Sequence, residues 1–296
     1  MKKLRKLQNS ILITMFCLYI SNAYSQQSAI ADSTNISTKY RQIGIGFINP
    51  IYRDFATSPL FYRGTGANIK YAGLKRSIMR ERLFEIAFGY ALVNAKIPKS
   101  KFFQPIASGS LMQLNIRYQQ LWRLQKISSQ KNNIKIGGTV QVTQNLRKNP
   151  YLSNNSTAFD NISNIMLTGQ IKRDVSRKEK RKLNLWIFKP TLKAVKRDLK
   201  FQFNAGILNF NYRPSYAYIY LDEINGSKTK PIGWSIRPYR WSLNGWRFNT
   251  EIEYIKYLPN GNSRSWSYVW DALNAPGKFE KFQMASHQIR FTYYFK

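Results

Sequence analysis

The last nine residues constrain the fold more than any other stretch. In Gln288-Ile289-Arg290-Phe291-Thr292-Tyr293-Tyr294-Phe295-Lys296, the residues Ile289, Phe291, Tyr293 and Phe295 alternate with Gln288, Arg290, Thr292 and Tyr294. Successive side chains of an extended chain point to opposite faces, so this segment has one apolar side and one polar side. A chain that ends this way must lay its apolar side on something. The choices are the interior of a soluble sheet or the hydrocarbon of a membrane.

The same rhythm recurs from Tyr40 onward. Ile43, Ile45 and Phe47 alternate with Gln42, Gly44 and Gly46, and Ile69 and Tyr71 share a face in the segment 64–75. Phe84, Ile86, Phe88, Tyr90 and Leu92 face away from Glu85, Ala87, Gly89 and Ala91. Met112, Leu114, Ile116 and Tyr118 follow, then Ile134, Ile136, Val140 and Val142, then Ile165, Leu167 and Ile171. Trp246, Phe248, Ile252 and Tyr254 alternate with Arg247, Asn249, Glu251 and Glu253, and Trp266, Tyr268 and Trp270 with Ser265, Ser267 and Asp271. Asn244-Gly245 reads as a two-residue hairpin turn, because that turn needs positive φ at both central positions. Pro259-Asn260-Gly261-Asn262 marks the next turn. Around 183–212 apolar residues occupy both parities and the pattern blurs.

Composition chooses the environment. Beyond the first 25 residues the chain has no apolar run of the length a membrane helix requires. Yet aromatics make up 15% of it, with 19 Tyr, 18 Phe and 7 Trp. Barrels in lipid have weak hydropathy per strand and aromatic girdles at both interfaces. The expectation is an all-β fold, a transmembrane antiparallel up-and-down β-barrel over residues 40–296. Thirteen segments compete for strands, and a closed bacterial barrel normally has an even number. About twelve is expected, with ten and fourteen open, because Pro190, Pro214, Pro231 and Pro238 each remove a ladder donor between 183 and 243. A soluble β-sandwich accounts for the alternation equally well, but not for the leader or the aromatics.

That leader is residues 1–25. Lys2, Lys3, Arg5 and Lys6 precede an apolar stretch from Ile11 to Ile20, and Ala23-Tyr24-Ser25 supplies small residues at −3 and −1 for cleavage. Residues 26–39 read as a flexible periplasmic lead-in, in which Asp32-Ser33-Thr34 resembles a short O-glycosylation acceptor. Cys17 lies in the leader, so the chain beyond it has neither disulfide nor thiol chemistry. The net charge is +33, four of it from the leader. A basic chain sent out of the cytoplasm meets lipid and lipopolysaccharide phosphates rather than nucleic acid. The basic runs 173–182 and 193–200 read as turns beside such a surface, with phosphate contacts as the functional alternative.

Charges in the clean strands share the polar parity: Glu85, Arg117, Lys135, Arg247, Glu251, Glu253 and Arg290. A Lys or Arg on the lipid face at mid-bilayer costs about 2–4 kcal/mol, so these residues are expected to line the lumen. Buried charges are tolerated when paired. Arg247 and Arg290 are therefore expected to pair with Glu251 and Glu253 and narrow the interior, with Glu85 and Arg117 extending the polar lining. The alternative is separate solvation in a wide channel. Phe291, Tyr293 and Phe295 are the candidate barrel assembly signal, closing against the first strand near Ile43 and Ile45.

A terminal strand ending in Phe, here followed by Lys296, resembles the C-terminal signal read by the barrel-assembly machinery of Gram-negative bacteria. Asp54-Phe55-Ala56-Thr57-Ser58-Pro59-Leu60-Phe61-Tyr62, with Arg213-Pro214-Ser215-Tyr216 and Glu253-Tyr254 through Asn260-Gly261-Asn262, resembles uncharacterised outer-membrane barrel proteins of Bacteroidota. The resemblance implies outer-membrane location and barrel fold, and no known activity. Barrel hydrolases use a His-x-Ser pair on one face. His287, the one histidine, is followed by Gln288-Ile289, and the neighbouring Ser286 points to the other face. An interfacial role is expected for His287, and no catalytic residue, metal or cofactor. Gly44-Ile45-Gly46 and Gly64-Thr65-Gly66 lack the lysine and helix of a phosphate loop. The expected function is a non-catalytic accessory or structural subunit of an outer-membrane secretion, gliding or glycan-uptake machine. An anion-preferring porin-like channel is the alternative, and a lipid hydrolase comes third.

Overall fold

The computed structural model describes residues 37–96, 107–155, 157–177, 179, 181–182, 191–192, 194–214, 239–276 and 281–296. The leader over 1–25, the Asp32-Ser33-Thr34 motif, Ser215-Tyr216, Pro190, Pro231 and Pro238 lie outside the described residues, as do parts of both basic runs. The chain from Thr38 to Lys296 is one unit. Its first strand opens at Thr38, inside the stretch read from sequence as lead-in.

The strands in chain order are β1 (Thr38–Asp54), β2 (Ser58–Arg76), β3 (Arg80–Ala95), β4 (Ser108–Arg123), β5 (Asn132–Lys148), β6 (Thr157–Asp174), the two-residue β7 (Arg181–Lys182) and β8 (Thr191–Leu192), β9 (Arg197–Pro214), the short β10 (Tyr239–Ser242), β11 (Trp246–Tyr257), β12 (Ser263–Asn274) and β13 (Phe282–Phe295). β7 and β8 pair only with each other. The rest form one antiparallel sheet in which each strand pairs with its neighbour in sequence, and β6 pairs with β9. β13 then pairs with β1 from Arg41↔Phe295 to Asp54↔Phe282, which closes the sheet on itself. β10 and β11 both run along β9 and together make one interrupted wall strand. The result is a transmembrane-type up-and-down barrel of ten wall strands, one of the counts the sequence left open, with both ends of the chain at the same rim.

Alternation sorts the side chains. Along β3, Phe84, Ile86, Phe88, Tyr90 and Leu92 are exposed on the outside while Glu81, Leu83, Glu85, Ala91 and Val93 are buried inside. The pattern holds around the wall, so the interior is rich in Gln, Asn, Thr, Ser and charged groups and the exterior in Ile, Leu, Phe, Tyr and Trp. Water drives apolar groups inward in a soluble domain. Here that order is inverted, as a lipid solvent requires, and closure pairs each long wall strand on both sides, with the short β10 paired on one side only among the described residues.

Two irregularities revise the sequence reading. Asn244-Gly245 does not reverse the chain. Gly245 has φ +107°, but it sits in the break between β10 and β11, and the chain continues along β9. The side chains of Asn211 and Asn209 donate to the carbonyls of Asn244 (2.7 Å) and Gly245 (2.9 Å), which satisfies backbone groups the break leaves without ladder partners. Opposite it, β9 carries a bulge. Gly206 pairs with Met166 and Leu208 with Ile165, so Ile207 is the extra residue. Before the bulge Leu199, Phe201 and Phe203 face out; after it Leu208 does, while Asn209, Asn211 and Arg213 turn in. That parity switch is why the sequence looked irregular here. The Pro259–Asn262 turn, by contrast, is a true reversal between β11 and β12, with Gly261 at φ +83°.

Candidate functional site

The lumen is the candidate site, and it is built from the inward parity of every wall strand. At mid-height Glu85 on β3 accepts from Arg117 on β4 (3.0 Å) and lies 3.5 Å from Lys70 Nζ on β2. Arg290 on β13 binds Glu251 on β11 at 2.9 Å and reaches Glu85 at 3.8 Å. Lys200 on β9 bridges Glu251 (3.2 Å) and Glu253 (2.5 Å). Glu253 also accepts from Ser265 (2.6 Å) and from the Tyr294 hydroxyl. Gly44 and Gly46 make room for these long side chains. A Cβ at Gly44 would stand 2.7 Å from Lys70 Cγ, and one at Gly46 2.7 Å from Arg290 Cγ.

The same density continues toward both rims. Toward the terminal rim Glu81 takes Arg76 (2.8 Å), Lys135 (3.4 Å) and the Gln170 amide (3.2 Å). Just above mid-height, Gln119 and Gln202 are hydrogen-bonded to each other, and Gln202 also to Gln170. Arg247 binds Asp271 through two nitrogens, at 3.0 and 2.6 Å, and donates to Thr143 (2.8 Å) and Asn164 (3.1 Å). At the far rim Asp54 and Asp160 hold both Arg147 and Arg213, with distances from 2.6 to 3.0 Å. The two guanidinium groups lie over the Phe282 ring, and Tyr52, Tyr62, Val93, Leu111, Ile162 and Leu273 pack around them.

Some of these contacts join adjacent strands along the wall, as Glu85–Arg117 and Arg247–Asp271 do, and others cross the lumen. Glu81–Gln170 joins β3 to β6, Arg247–Thr143 joins β11 to β5, and Arg213–Asp54 joins β9 to β1. Partners three or four strands apart can meet only through the interior. An eight-stranded barrel is just wide enough for side chains to fill, and aqueous channels belong to barrels of sixteen or more. Ten strands fall near the filled end. An interior cavity of about 40 Å³ lies beside Asn68, Gln113, Asn115 and Gln288, and one of about 10 Å³ beside Lys70, Glu81 and Glu253. Each has room for water but not for a solute.

All six lumen candidates, Glu85, Arg117, Arg247, Glu251, Glu253 and Arg290, sit inside, each at most 6% exposed. The pairing differs from expectation. Arg290 takes Glu251, but Arg247 takes Asp271 on the adjacent β12 and not Glu251 or Glu253, because Asp271 is its diagonal neighbour across the ladder. Glu253 takes Lys200 instead. Lys70 and Asp271 lie on the inward parity and were readable by the same alternation, whereas Lys200 falls in the run read as a turn and is instead an inward residue of β9. Arg213 was not readable either, since it follows the bulge. Phe291, Tyr293 and Phe295 are on the outward face, and the register sets Tyr293 beside Ile43, Phe291 beside Ile45 and Phe295 beside Arg41. His287 also faces out, with its Nδ1 2.6 Å from the Tyr268 hydroxyl. The two Gly-x-Gly stretches lie within β1 and β2.

No protein-family model matches the sequence, and no curated protein matches it. Among solved structures the chain is similar to an outer membrane channel from Pseudomonas putida F1, at 7% identity over 92% of this chain and 99% of that one, with a TM-score of 0.32. It is similar to the translocator domain of the autotransporter NalP from Neisseria meningitidis, at 7% identity over 97% and 96%, with a TM-score of 0.34. A Pseudomonas aeruginosa FadL homologue aligns at 5% identity over 87% and 90%, with a TM-score of 0.23. Likeness this loose carries no argument, and the closed barrel rests on its own strand pairing.

Proposed function

We propose that the protein is an integral outer-membrane barrel with a sealed lumen, working as a non-catalytic accessory or structural subunit of a larger outer-membrane assembly. The observation that carries this reading is the succession of ion pairs and hydrogen bonds that cross the lumen at three heights, from the Glu81 cluster through Glu85, Arg290 and Glu251 to the Asp54, Arg147, Asp160 and Arg213 set. A solute-conducting pore needs a continuous aqueous path, and each of these layers interrupts one. The outward apolar wall, the leader expected at residues 1–25 and the resemblance to outer-membrane barrels of Bacteroidota support the location. His287 lies on the lipid-facing side, and its partner is the Tyr268 hydroxyl rather than a serine, which fits an interfacial role.

The termini share one rim, and that rim is periplasmic in this reading. The connection from β6 to β9, with Arg173, Arg177, Lys196 and Arg197, leaves the same rim. Its phosphate partners are then in the periplasmic leaflet or on a periplasmic partner, while lipopolysaccharide meets the opposite rim.

The test has two arms. Purified protein in a planar bilayer is expected to pass no stepwise current. Gentle extraction from native membranes is expected to bring it out in a complex larger than the barrel alone. Stepwise conductance from the parent protein, together with a solitary barrel on extraction, favours the porin reading and defeats this one.

A further inference from the structure

We propose that the outer wall near the terminal rim carries a groove that binds one anionic glycerophospholipid of the adjoining leaflet, a site that rests on the membrane reading above. A groove of about 860 Å³ crosses the outside of β1 to β4. Its floor is Gly73. In the ladder Gly73 stands directly between Arg41 on β1 and Phe84 on β3, and Phe84 in turn faces Tyr118 on β4. A Cβ at Gly73 would meet nothing within 4 Å, and its φ is not positive. Neither packing within the protein nor backbone geometry calls for a glycine there. What the missing side chain provides is a notch open to whatever lies outside.

The chemistry around the notch is divided. One step toward the rim, Lys39, Lys75 and Arg82 lie side by side on three adjacent strands, in register as Lys39↔Lys75 and Lys75↔Arg82. One step toward the membrane centre the row is Ile43, Tyr71 and Ile86. Like charges directly opposite in a ladder repel and destabilise it. None of Lys39, Arg41, Lys75 and Arg82 has an ion pair among the described residues, although all four are exposed. The described carboxylates of the wall strands turn into the lumen, except Asp174 at the tip of β6. No side-chain carboxylate of the described wall is therefore placed to neutralise this row, and the terminal carboxylate on Lys296, which also lines the groove, makes no ion pair with it among the described residues. A headgroup phosphate at the row of cations, with its acyl chain running through the notch past Tyr71 and Phe84, supplies the charge and covers the apolar floor. The level matches, because aromatic side chains such as Tyr71, Phe84 and Phe295 mark the membrane interface.

The test uses the full-length protein, purified in detergent and examined by native mass spectrometry with added phosphatidylglycerol or phosphatidylcholine. The parent is expected to retain one phosphatidylglycerol in preference to phosphatidylcholine. Gly73→Leu keeps every charge but fills the notch, and Lys75→Gln with Arg82→Gln keeps the notch but removes charge. Each is expected to weaken retention about tenfold or more. A second in-register cationic row, Arg197, Lys256 and Arg264 on β9, β11 and β12, provides the control. Its Lys256→Gln variant is expected to retain lipid as the parent does. Equal retention of the two lipids, or full retention by Gly73→Leu, overturns the proposal. Heat-modifiable gel mobility of every sample separates the two failures: a folded barrel that keeps no lipid defeats only the groove, while a protein recovered in the soluble fraction defeats the membrane reading itself.

Discussion

Asp160 shows what a single buried carboxylate does here. It is fully buried and accepts from Arg147 at 2.7 Å and Arg213 at 3.0 Å. Removing one partner from a buried ion pair leaves an uncompensated charge and costs about 3–5 kcal/mol. Asp160→Ala leaves two arginines to share Asp54, and is expected to lower the temperature at which the folded gel band converts to the unfolded one. Asp174→Ala, at the exposed tip of β6, serves as the control and is expected to leave that temperature unchanged. Equal transition temperatures for Asp160→Ala and the parent contradict the claim. At this scale the sequence was informative about face and silent about partner. Alternation alone put Glu85, Arg117 and Arg247 inside. It did not pair Arg247 with Asp271, since a partner depends on the register between strands and on the reach of a side chain across the lumen. Neither is encoded in the spacing along one strand.

β9 shows the same limit for elements. Its apolar residues switch parity at Ile207, and a strict two-residue rhythm has no place for an extra residue. Deleting Ile207 removes only the extra residue: Leu208 then follows Gly206 in a regular ladder opposite Ile165, and Asn209, Asn211 and Arg213 keep their inward face. Deleting Ile207 and Leu208 together removes one residue too many, so Asn209, Asn211 and Arg213 turn outward and Arg213 loses Asp54 and Asp160, a broken buried pair costing about 3–5 kcal/mol. The single deletion is expected to assemble at close to normal levels, and the double deletion to abolish folded protein in the membrane. Assembly of the double deletion at parent levels shows that the residue count at the bulge does not set the register. The last strand is the opposite case, legible from end to end. β13 alternates without a break, and its register to β1 is the one that closes the barrel. Truncating residues 288–296 removes the ladder from Ile48 to Arg41 and is expected to leave degraded or periplasmic chain on immunoblots of cell fractions. Normal membrane levels of the truncated protein refute the assembly role of Phe291, Tyr293 and Phe295.

Across the whole molecule the charges are segregated. The chain has 47 basic and 14 acidic residues, and the described ion pairs engage ten of the former with eight of the latter, all in the lumen. The described ion pairs thus leave the interior close to neutral, and the other described cations, such as Lys39, Arg41, Lys75 and Arg82, lie on the outer wall and the rims. Neutrality inside also lets the lumen close, because a net-charged interior would demand water and counterions. In the sealed reading closure is built in series, with the Glu81, Arg76 and Lys135 layer toward the terminal rim, the Glu85, Arg290 and Glu251 layer at mid-height and the Asp54, Arg147, Asp160 and Arg213 layer at the far rim. Three barriers in series each block current alone. Clearing only the middle, with Lys70, Glu85, Arg117, Glu251 and Arg290 all changed to Ser, removes every member of that cluster and leaves Lys200 paired with Glu253. That variant is still expected to be silent in a planar bilayer, because Phe282, Tyr52 and the four-residue network at the rim stay in place. Clearing the far rim and the Glu81 layer as well, with Asp54, Arg147, Asp160, Arg213, Arg76, Glu81 and Lys135 also changed to Ser, is expected to give stepwise current. Folding of each variant is read first from heat-modifiable mobility. A current from the mid-lumen variant alone means the rim layers do not seal the barrel, and silence from the folded variant cleared at all three layers means the seal lies elsewhere.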